Sequence, residues 1–224
     1  MLLFIIFFSI CSIINYIFLV NGTLLAIMVK EHTFWGHMEK INTCYGKIDP
    51  NLLSRLSIVK LMVFDVDGTI TDGGIYYDDE SIELKKFNVK DGFGIVALSK
   101  EGIHTAVITG RQAPLVQRRM NDLKVEHVMQ GQRDKKEALT ELCKSLDIGF
   151  DEVVAIGDDL NDMPMFRIAG VVVCPNDAHP FIKSKSDYIT TLKGGCGAVR
   201  ELCDLILMSK GIMNFDGGYA DERY

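Results

Sequence analysis

Leu61-Met62-Val63-Phe64-Asp65-Val66-Asp67-Gly68-Thr69-Ile70-Thr71 is the stretch on which the reading of this chain turns. Its first four residues are apolar without polar alternation, the pattern of a parallel strand buried on both faces. The run stops at two carboxylates one residue apart, Asp65 and Asp67, followed at once by Gly68 and Thr69. Acids at the end of a dry strand carry a desolvation cost. A bound divalent cation removes it, and Asp-x-Asp offers the hard oxygen donors that Mg²⁺ prefers. Two aspartates capping a turn would look the same in isolation, so the rest of the chain decides.

Working outward, further strands end in polar groups. His104 to Ile108 predicts a second strand, closing in Thr109-Gly110-Arg111. Val125 to Met129 predicts a third, Glu152 to Ile156 a fourth that ends in Gly157-Asp158-Asp159-Leu160-Asn161-Asp162, Val171 to Cys174 a fifth and Tyr188 to Thr190 a sixth. Helices are predicted between them: one ending near Gly102, one carrying Arg118 and Arg119, one with Ala138, Leu139, Leu142 and Leu146 on a single stripe, and a closing one from Gly194 to about Met208. Strand and helix alternating at this spacing give βαβ units, hence an α/β fold: a Rossmann-like parallel sheet with helices on both faces. Between Asp72 and Phe87, two short runs around Asp78-Asp79-Glu80 predict a β-hairpin beside the acidic loop, with no inserted cap domain. A short helix is expected over Pro50 to Leu56, capped by Asp49, in an otherwise irregular stretch from 30 to 57. The residues after Gly211 read as a flexible tail.

Composition narrows the classes. With a formal net charge of −6 and no basic stripe, nucleic acid is excluded as a partner. The six cysteines form no CxxC pair and fall in predicted helices and strands, as reduced core thiols do. Residues 1–29 carry no charge and are long enough to span a bilayer, with Lys30 the first charged residue. They lack the basic start and small-x-small site of a secretory signal. They are therefore either a membrane anchor facing the cytoplasm or a segment outside the working protein, for which Met38 is an alternative start.

The strand ends converge on one chemistry. Asp65, Asp67, Asp158, Asp159 and Asp162 would repel one another unless a cation sat among them. Thr109, Lys135 and the amides of the first loop can hold a phosphate beside that cation. Metal, nucleophile, phosphate cradle and acid/base in one cleft suit phosphoryl transfer.

These motifs resemble the haloacid dehalogenase superfamily of phosphohydrolases: Asp65 to Thr69 as Asp-x-Asp-Gly-Thr, Thr109 at a strand end, Lys135, and Gly157 to Asp162 as Gly-Asp-Asp-x-x-Asp. Within it, Thr43 to Gly46, Asn88 to Gly94, Ile108 to Arg111, Gln130-Gly131 and Gly194 to Leu207 are similar to the small-capped type that includes the 3-deoxy-D-manno-octulosonate 8-phosphate phosphatases. The similarity runs from about 42 to 211, so the phosphatase domain is placed at 58–211. It implies Asp65 as nucleophile and Mg²⁺ ligand, and Asp67 as acid/base that also lends the metal its backbone carbonyl. It implies Asp158 as the second metal carboxylate, oriented by Asp159 or Asp162, and Thr109 and Lys135 as phosphoryl holders. Asn88, Val89, Lys90, Asp91, Gly92, Arg111 and Arg119, together with Asp67 and Lys135, would face a small phosphorylated sugar acid. Cover for the site would come from a homotetramer, and the setting would be the cytoplasm and lipopolysaccharide precursor synthesis. Val96 stands where relatives often have a basic residue, so one substrate contact is absent or supplied elsewhere. A nonulosonate 9-phosphate phosphatase and a non-catalytic regulatory relative are the alternatives on the same scaffold, and the second is disfavoured by the presence of both Asp65 and Asp67.

Overall fold

The computed structural model describes residues 6–10, 13–20, 23–30, 39–80 and 82–220 of the chain. It divides into two units, residues 1–40 and 41–224. In the first, β1 (Ile6–Ile10), β2 (Ile13–Val20) and β3 (Thr23–Lys30) form an antiparallel sheet in the order β1-β2-β3. The described part of residues 1–30 is thus three short antiparallel strands. Among the described residues no helix is long and apolar enough to cross a membrane.

The second unit begins with a hairpin that the irregular reading of 30–57 did not include, β4 (Ile41–Thr43) paired to β5 (Gly46–Ile48). Helix α1 (Pro50–Ser57) follows as expected: Asp49 accepts the Asn51 amide and Pro50 needs no N–H at the first turn. Leu52, Leu53 and Leu56 of α1 lie in the main core, so residues 41–57 belong to the second unit. The remaining elements are β6 (Leu61–Phe64), β7 (Tyr76–Tyr77), β8 (Glu83–Leu84), α2 (Val89–Lys100), β9 (His104–Ile108), α3 (Pro114–Asp122), β10 (His127–Met129), α4 (Lys135–Leu146), β11 (Val153–Ile156), α5 (Met163–Phe166), β12 (Val171–Cys174), α6 (Pro180–Lys183), β13 (Tyr188–Ile189) and α7 (Ala198–Ser209).

A six-stranded sheet runs β10-β9-β6-β11-β12-β13, every pair parallel. The chain leaves β6 toward one edge, returns to the centre at β11 and proceeds to the other edge. The strand order thus reverses between β6 and β11, where open α/β sheets bind ligands. Successive strand residues point to opposite faces. Met62 and Phe64 pack under α1, α2, α3 and α7, while Leu61 and Val63 pack under α4, α5 and α6. Val96 of α2, partly buried, packs against the first of these cores.

Beside β6 the short strands β7 and β8 pair antiparallel, Tyr76 with Leu84 and Tyr77 with Glu83. Asp78 closes their turn by accepting the amides of Glu80 and Ile82. The described part of the C-terminal tail folds back, with the Ala220 amide on Ile212 and the Cys44 amide on Phe215 at 2.7 Å. All five described cysteines are free; Cys143, Cys174 and Cys203 are buried as expected, whereas Cys44 and Cys196 are exposed.

Candidate active site

Asp65 and Asp67 leave the end of β6, Thr109 the end of β9, and Asp158 the end of β11, so three adjacent strands deliver their acids and hydroxyl to one sheet edge. A cavity of about 350 Å³ opens there, lined by Asp65, Asp67, Thr109, Arg111, Asp158 and Asp159 among others. The loop after β6 turns tightly. Gly68 adopts φ +84°, and a Cβ on it would stand 2.1 Å from Asp158 Oδ2. Gly194 presses on the same loop from behind, where a Cβ would meet the Gly68 carbonyl at 1.8 Å. Only glycine lets these backbones approach the acids so closely.

Lys135, at the first turn of α4, is buried behind Asp65. Its Nζ lies 2.6 Å from Asp162 Oδ1 and 2.9 Å from Asp65 Oδ1. Burial pulls its pKa down, but Asp65 and Asp162 outweigh this and the net displacement is upward. Of Asp159 and Asp162, the two candidates for orienting Asp158, it is Asp162 that bonds the Asp158 backbone. Asp162 Oδ2 accepts the amides of Asp158 at 2.8 Å and Asp159 at 3.2 Å. Thr69 Oγ1 donates to Asp158 Oδ1 at 3.0 Å.

Without a cation this cluster is electrostatically poor. Burial, then Asp162 and Asp65, push Asp158 up to about 7. Burial and Asp65 push Asp162 up to about 6 against the pull of Lys135. Asp65 Oδ1 is buried and, among the described residues, has no aligned hydrogen-bond donor. One oxygen each from Asp65, Asp158 and Asp162 lies within 4.8 Å of the others. A hard cation fits this donor set and removes the repulsion. Since Asp162 is already engaged by Lys135 and two amides, Asp65 and Asp158 hold the carboxylate oxygens left for the cation.

One side chain at the site, Lys85, was missed in the sequence, and it meets an expected one, Arg111, on a shared carboxylate. Lys85, immediately after β8 of the hairpin, has a side chain only 1% exposed and pairs with Asp67 Oδ1 and, at 2.9 Å, with Glu83 Oε1. Arg111 reaches the same Glu83 oxygen at 2.9 Å and approaches Asp67 Oδ2 at 3.9 Å. An exposed-looking hairpin hid this: nothing in a polar run such as Glu83-Leu84-Lys85-Lys86 tells which lysine turns inward.

The expected sugar-acid residues divide. Arg111 lines the cavity. Asn88 caps α2, accepting the Lys90 amide, and donates to the Gly195 carbonyl; Val89 is 81% exposed. Asp91 is fully buried and accepts the amides of Gly197 and Arg200, so it caps α7 rather than facing a ligand. At Gly92 a Cβ would strike Arg119 Nη2 at 2.5 Å. Arg119 lies over the Phe87 ring and lines a separate groove with Ile82, Leu84 and Leu115. Within one chain, neither Asp91 nor Arg119 is brought to the acidic cavity.

Comparison with known proteins bears on the same residues. A family model for haloacid dehalogenase-like hydrolases matches residues 125–201. The 3-deoxy-D-manno-octulosonate 8-phosphate phosphatase of Yersinia pestis is 45% identical over 170 residues, covering 76% of this chain and 91% of that protein. The enzyme of that name from Escherichia coli K12 is 42% identical over 169 residues, covering 75% and 90%. The Yersinia pestis crystal structure superposes with a TM-score of 0.76 at 44% identity, over 78% of this chain and 94% of that one. A Moraxella catarrhalis phosphatase of this name, solved with magnesium, phosphate and KDO, superposes at 0.70 with 43% identity, over 72% and 94%. At such identity and coverage, with the acids at the switch point of the sheet, the chain belongs to the 3-deoxy-D-manno-octulosonate 8-phosphate phosphatase family of haloacid dehalogenase-like hydrolases.

Proposed function

We propose that the protein is a Mg²⁺-dependent phosphatase that hydrolyses 3-deoxy-D-manno-octulosonate 8-phosphate through an aspartyl-phosphate on Asp65. The observation that carries this is the single cavity in which Asp65, Asp67, Thr109, Arg111 and Asp158 meet, with Lys135 buried behind Asp65. Mg²⁺, when bound, neutralises phosphoryl oxygen charge as a Lewis acid. Asp65 and Asp158 would hold it with carboxylate oxygens and Asp67 with its backbone carbonyl.

Asp65 attacks phosphorus, and the bond to the sugar oxygen breaks as Asp67 donates a proton to that oxygen. Asp67 then takes a proton from water, which attacks the phosphorus and releases phosphate, returning Asp65 to its carboxylate. Thr109 and Lys135 hold the phosphoryl oxygens, and Lys85 and Arg111 fix Asp67 at the cavity mouth. Arg111, 42% exposed there, is the cation best placed to meet the sugar carboxylate.

A homotetramer in the cytoplasm, serving lipopolysaccharide precursor synthesis, completes the reading. Ile75, Tyr76, Tyr77, Ile82 and Leu84 expose 45–62% of their surface around the hairpin, as apolar groups awaiting a neighbouring copy do. The test is phosphate release by the full chain with Mg²⁺ across a panel of sugar-acid phosphates, with Asp65→Asn alongside. Selective turnover of the 8-phosphate octulosonate, abolished in the variant, is expected. Preference for a nonulosonate 9-phosphate would transfer the mechanism to another substrate, and no turnover by a folded, Mg²⁺-binding protein would overturn the enzyme reading.

A further inference from the structure

At the opposite end of the sheet from the acids, the first residues of β9 and β10 bring two imidazoles and a carboxylate together. His127 pairs in register with Ala106, so His104, two residues before Ala106, faces the same side of the sheet. Glu126 stands immediately before β10. His104 Nδ1 lies 2.5 Å from Glu126 Oε2, and His127 Nε2 lies 3.9 Å from the same oxygen. The ring centroids are 6.4 Å apart and inclined by 51°. One donor atom from each of the three residues falls within 4.8 Å of the others.

The hydrogen bond of His104 to Glu126 accounts for only part of this arrangement. His127 Nε2 is buried and, among the described residues, has no hydrogen-bond partner. It points into the cluster, toward an oxygen too distant to bond. A buried, unpaired imidazole nitrogen is destabilising, and a metal ion is one group that satisfies it with no donor or acceptor left over. Tetrahedral Zn²⁺, with bonds of about 2.0–2.1 Å to nitrogen and oxygen, requires donors about 3.3–3.5 Å apart. The observed 2.5 and 3.9 Å from Glu126 to the two imidazoles bracket that spacing, so a shift of the half-exposed Glu126 carboxylate by less than about 1 Å sets it at the ligand spacing from both, with the two imidazole nitrogens themselves within 4.8 Å. A cavity of about 410 Å³ adjoins the cluster, lined by Glu126, His127, Met129 and Glu141. Water or the Glu141 carboxylate can thus complete the coordination.

We propose that His104, Glu126 and His127 form a second metal site, specific for Zn²⁺ or a similar transition ion rather than Mg²⁺, that ties edge strand β10 to β9. The two imidazoles set the selectivity, because Mg²⁺ takes oxygen ligands and keeps its waters, whereas imidazole suits zinc, nickel and copper. The role is structural. β10 is three residues long and lies at the edge of the sheet, and a ligand bound to the native state alone stabilises it by mass action.

The experiment is calorimetric titration of Zn²⁺ into the full chain saturated with Mg²⁺, repeated on His127→Gln and on the double variant His104→Gln/His127→Gln. An independent readout is the melting temperature of each with and without Zn²⁺, and the visible bands of Co²⁺ in tetrahedral nitrogen–oxygen coordination. The parent is expected to bind one equivalent that Mg²⁺ does not displace and to melt higher with it. The double variant should lose that equivalent, its affinity weaker by at least about 100-fold, because even an outer partner of a metal ligand is worth about 10–100-fold. Mg²⁺-dependent phosphate release should be the same in all three proteins. Zn²⁺ binding that is displaced by Mg²⁺, or that survives unchanged in the double variant, would overturn the site, as would no binding by the parent. Both positions are partly exposed, and glutamine keeps their polarity. A variant melting within a few degrees of the metal-free parent therefore reports on the ligand set and not on misfolding.

Discussion

Lys135 Nζ stands 2.6 Å from Asp162 Oδ1, with both side chains at or below 2% exposure. The contact joins the start of α4 to the loop after β11, and Asp162 in turn holds the amides that shape the Asp158 loop. One lysine therefore serves both the charge balance of the site and the placement of Asp158.

Lys135→Met should strip the one cation that, among the described residues, pairs with the buried Asp65 and Asp162. Breaking a buried ion pair from one side costs about 3–5 kcal/mol. Urea denaturation in EDTA should show a loss of that size, and phosphate release should vanish. A variant as stable as the parent would show that Asp162 is not ionised there.

Mg²⁺ should stabilise the protein more at high pH than at low. Asp158 and Asp162 sit at about 7 and about 6 in the metal-free protein, above their ordinary 3.8. The native state therefore holds these protons more tightly than the unfolded one. Their contribution to stability is complete below the ordinary value and is lost as pH rises through 6 to 7. A cation bound by the ionised acids cancels that loss. Melting temperatures in EDTA and in Mg²⁺ should differ more near about pH 8 than near about pH 5; an equal difference at both would contradict the assignment.

Lys85→Gln should lower kcat by about 10- to 100-fold, since a displacement of about 1 Å at an acid/base can cost 100-fold. Lys85 is what holds the Asp67 carboxylate, and its side chain is buried against Glu83 as well. Steady-state kinetics should place the loss in kcat with little change in stability of the core. An unchanged kcat would mean that Asp67 positions itself.

Asp91→Ala should destabilise without touching the substrate. Its carboxylate caps the amides of Gly197 and Arg200 at 3.2 and 2.8 Å at the start of α7. Loss of such a cap costs about 1–2 kcal/mol. Thermal melts should drop while KM stays where it was; a raised KM in an equally stable protein would restore Asp91 to the sugar-binding set.

The strand at Leu61 to Phe64, the alternation of strands and helices, and the set Asp65, Asp67, Thr109, Lys135 and Asp158 were all legible in the chain, because hydrophobic runs ending in acids encode both a buried sheet and the edge where charge collects. The same local grammar marked Asp49-Pro50 as a helix start. The hairpin Ile41–Thr43 with Gly46–Ile48 escaped notice, being two three-residue strands with no run long enough to show a period.

Sequence alone determined the fold class and which acids gather at the strand ends, since both follow from patterns along a few neighbouring residues. Which side chains face those acids was decided only in three dimensions. Asp91 and Arg119 sit in stretches resembling a substrate motif yet turn toward Gly197 and Phe87, while Lys85, one of two adjacent lysines, turns inward to Asp67. The direction of a side chain depends on how distant elements pack, and the residue types within one segment do not carry that information.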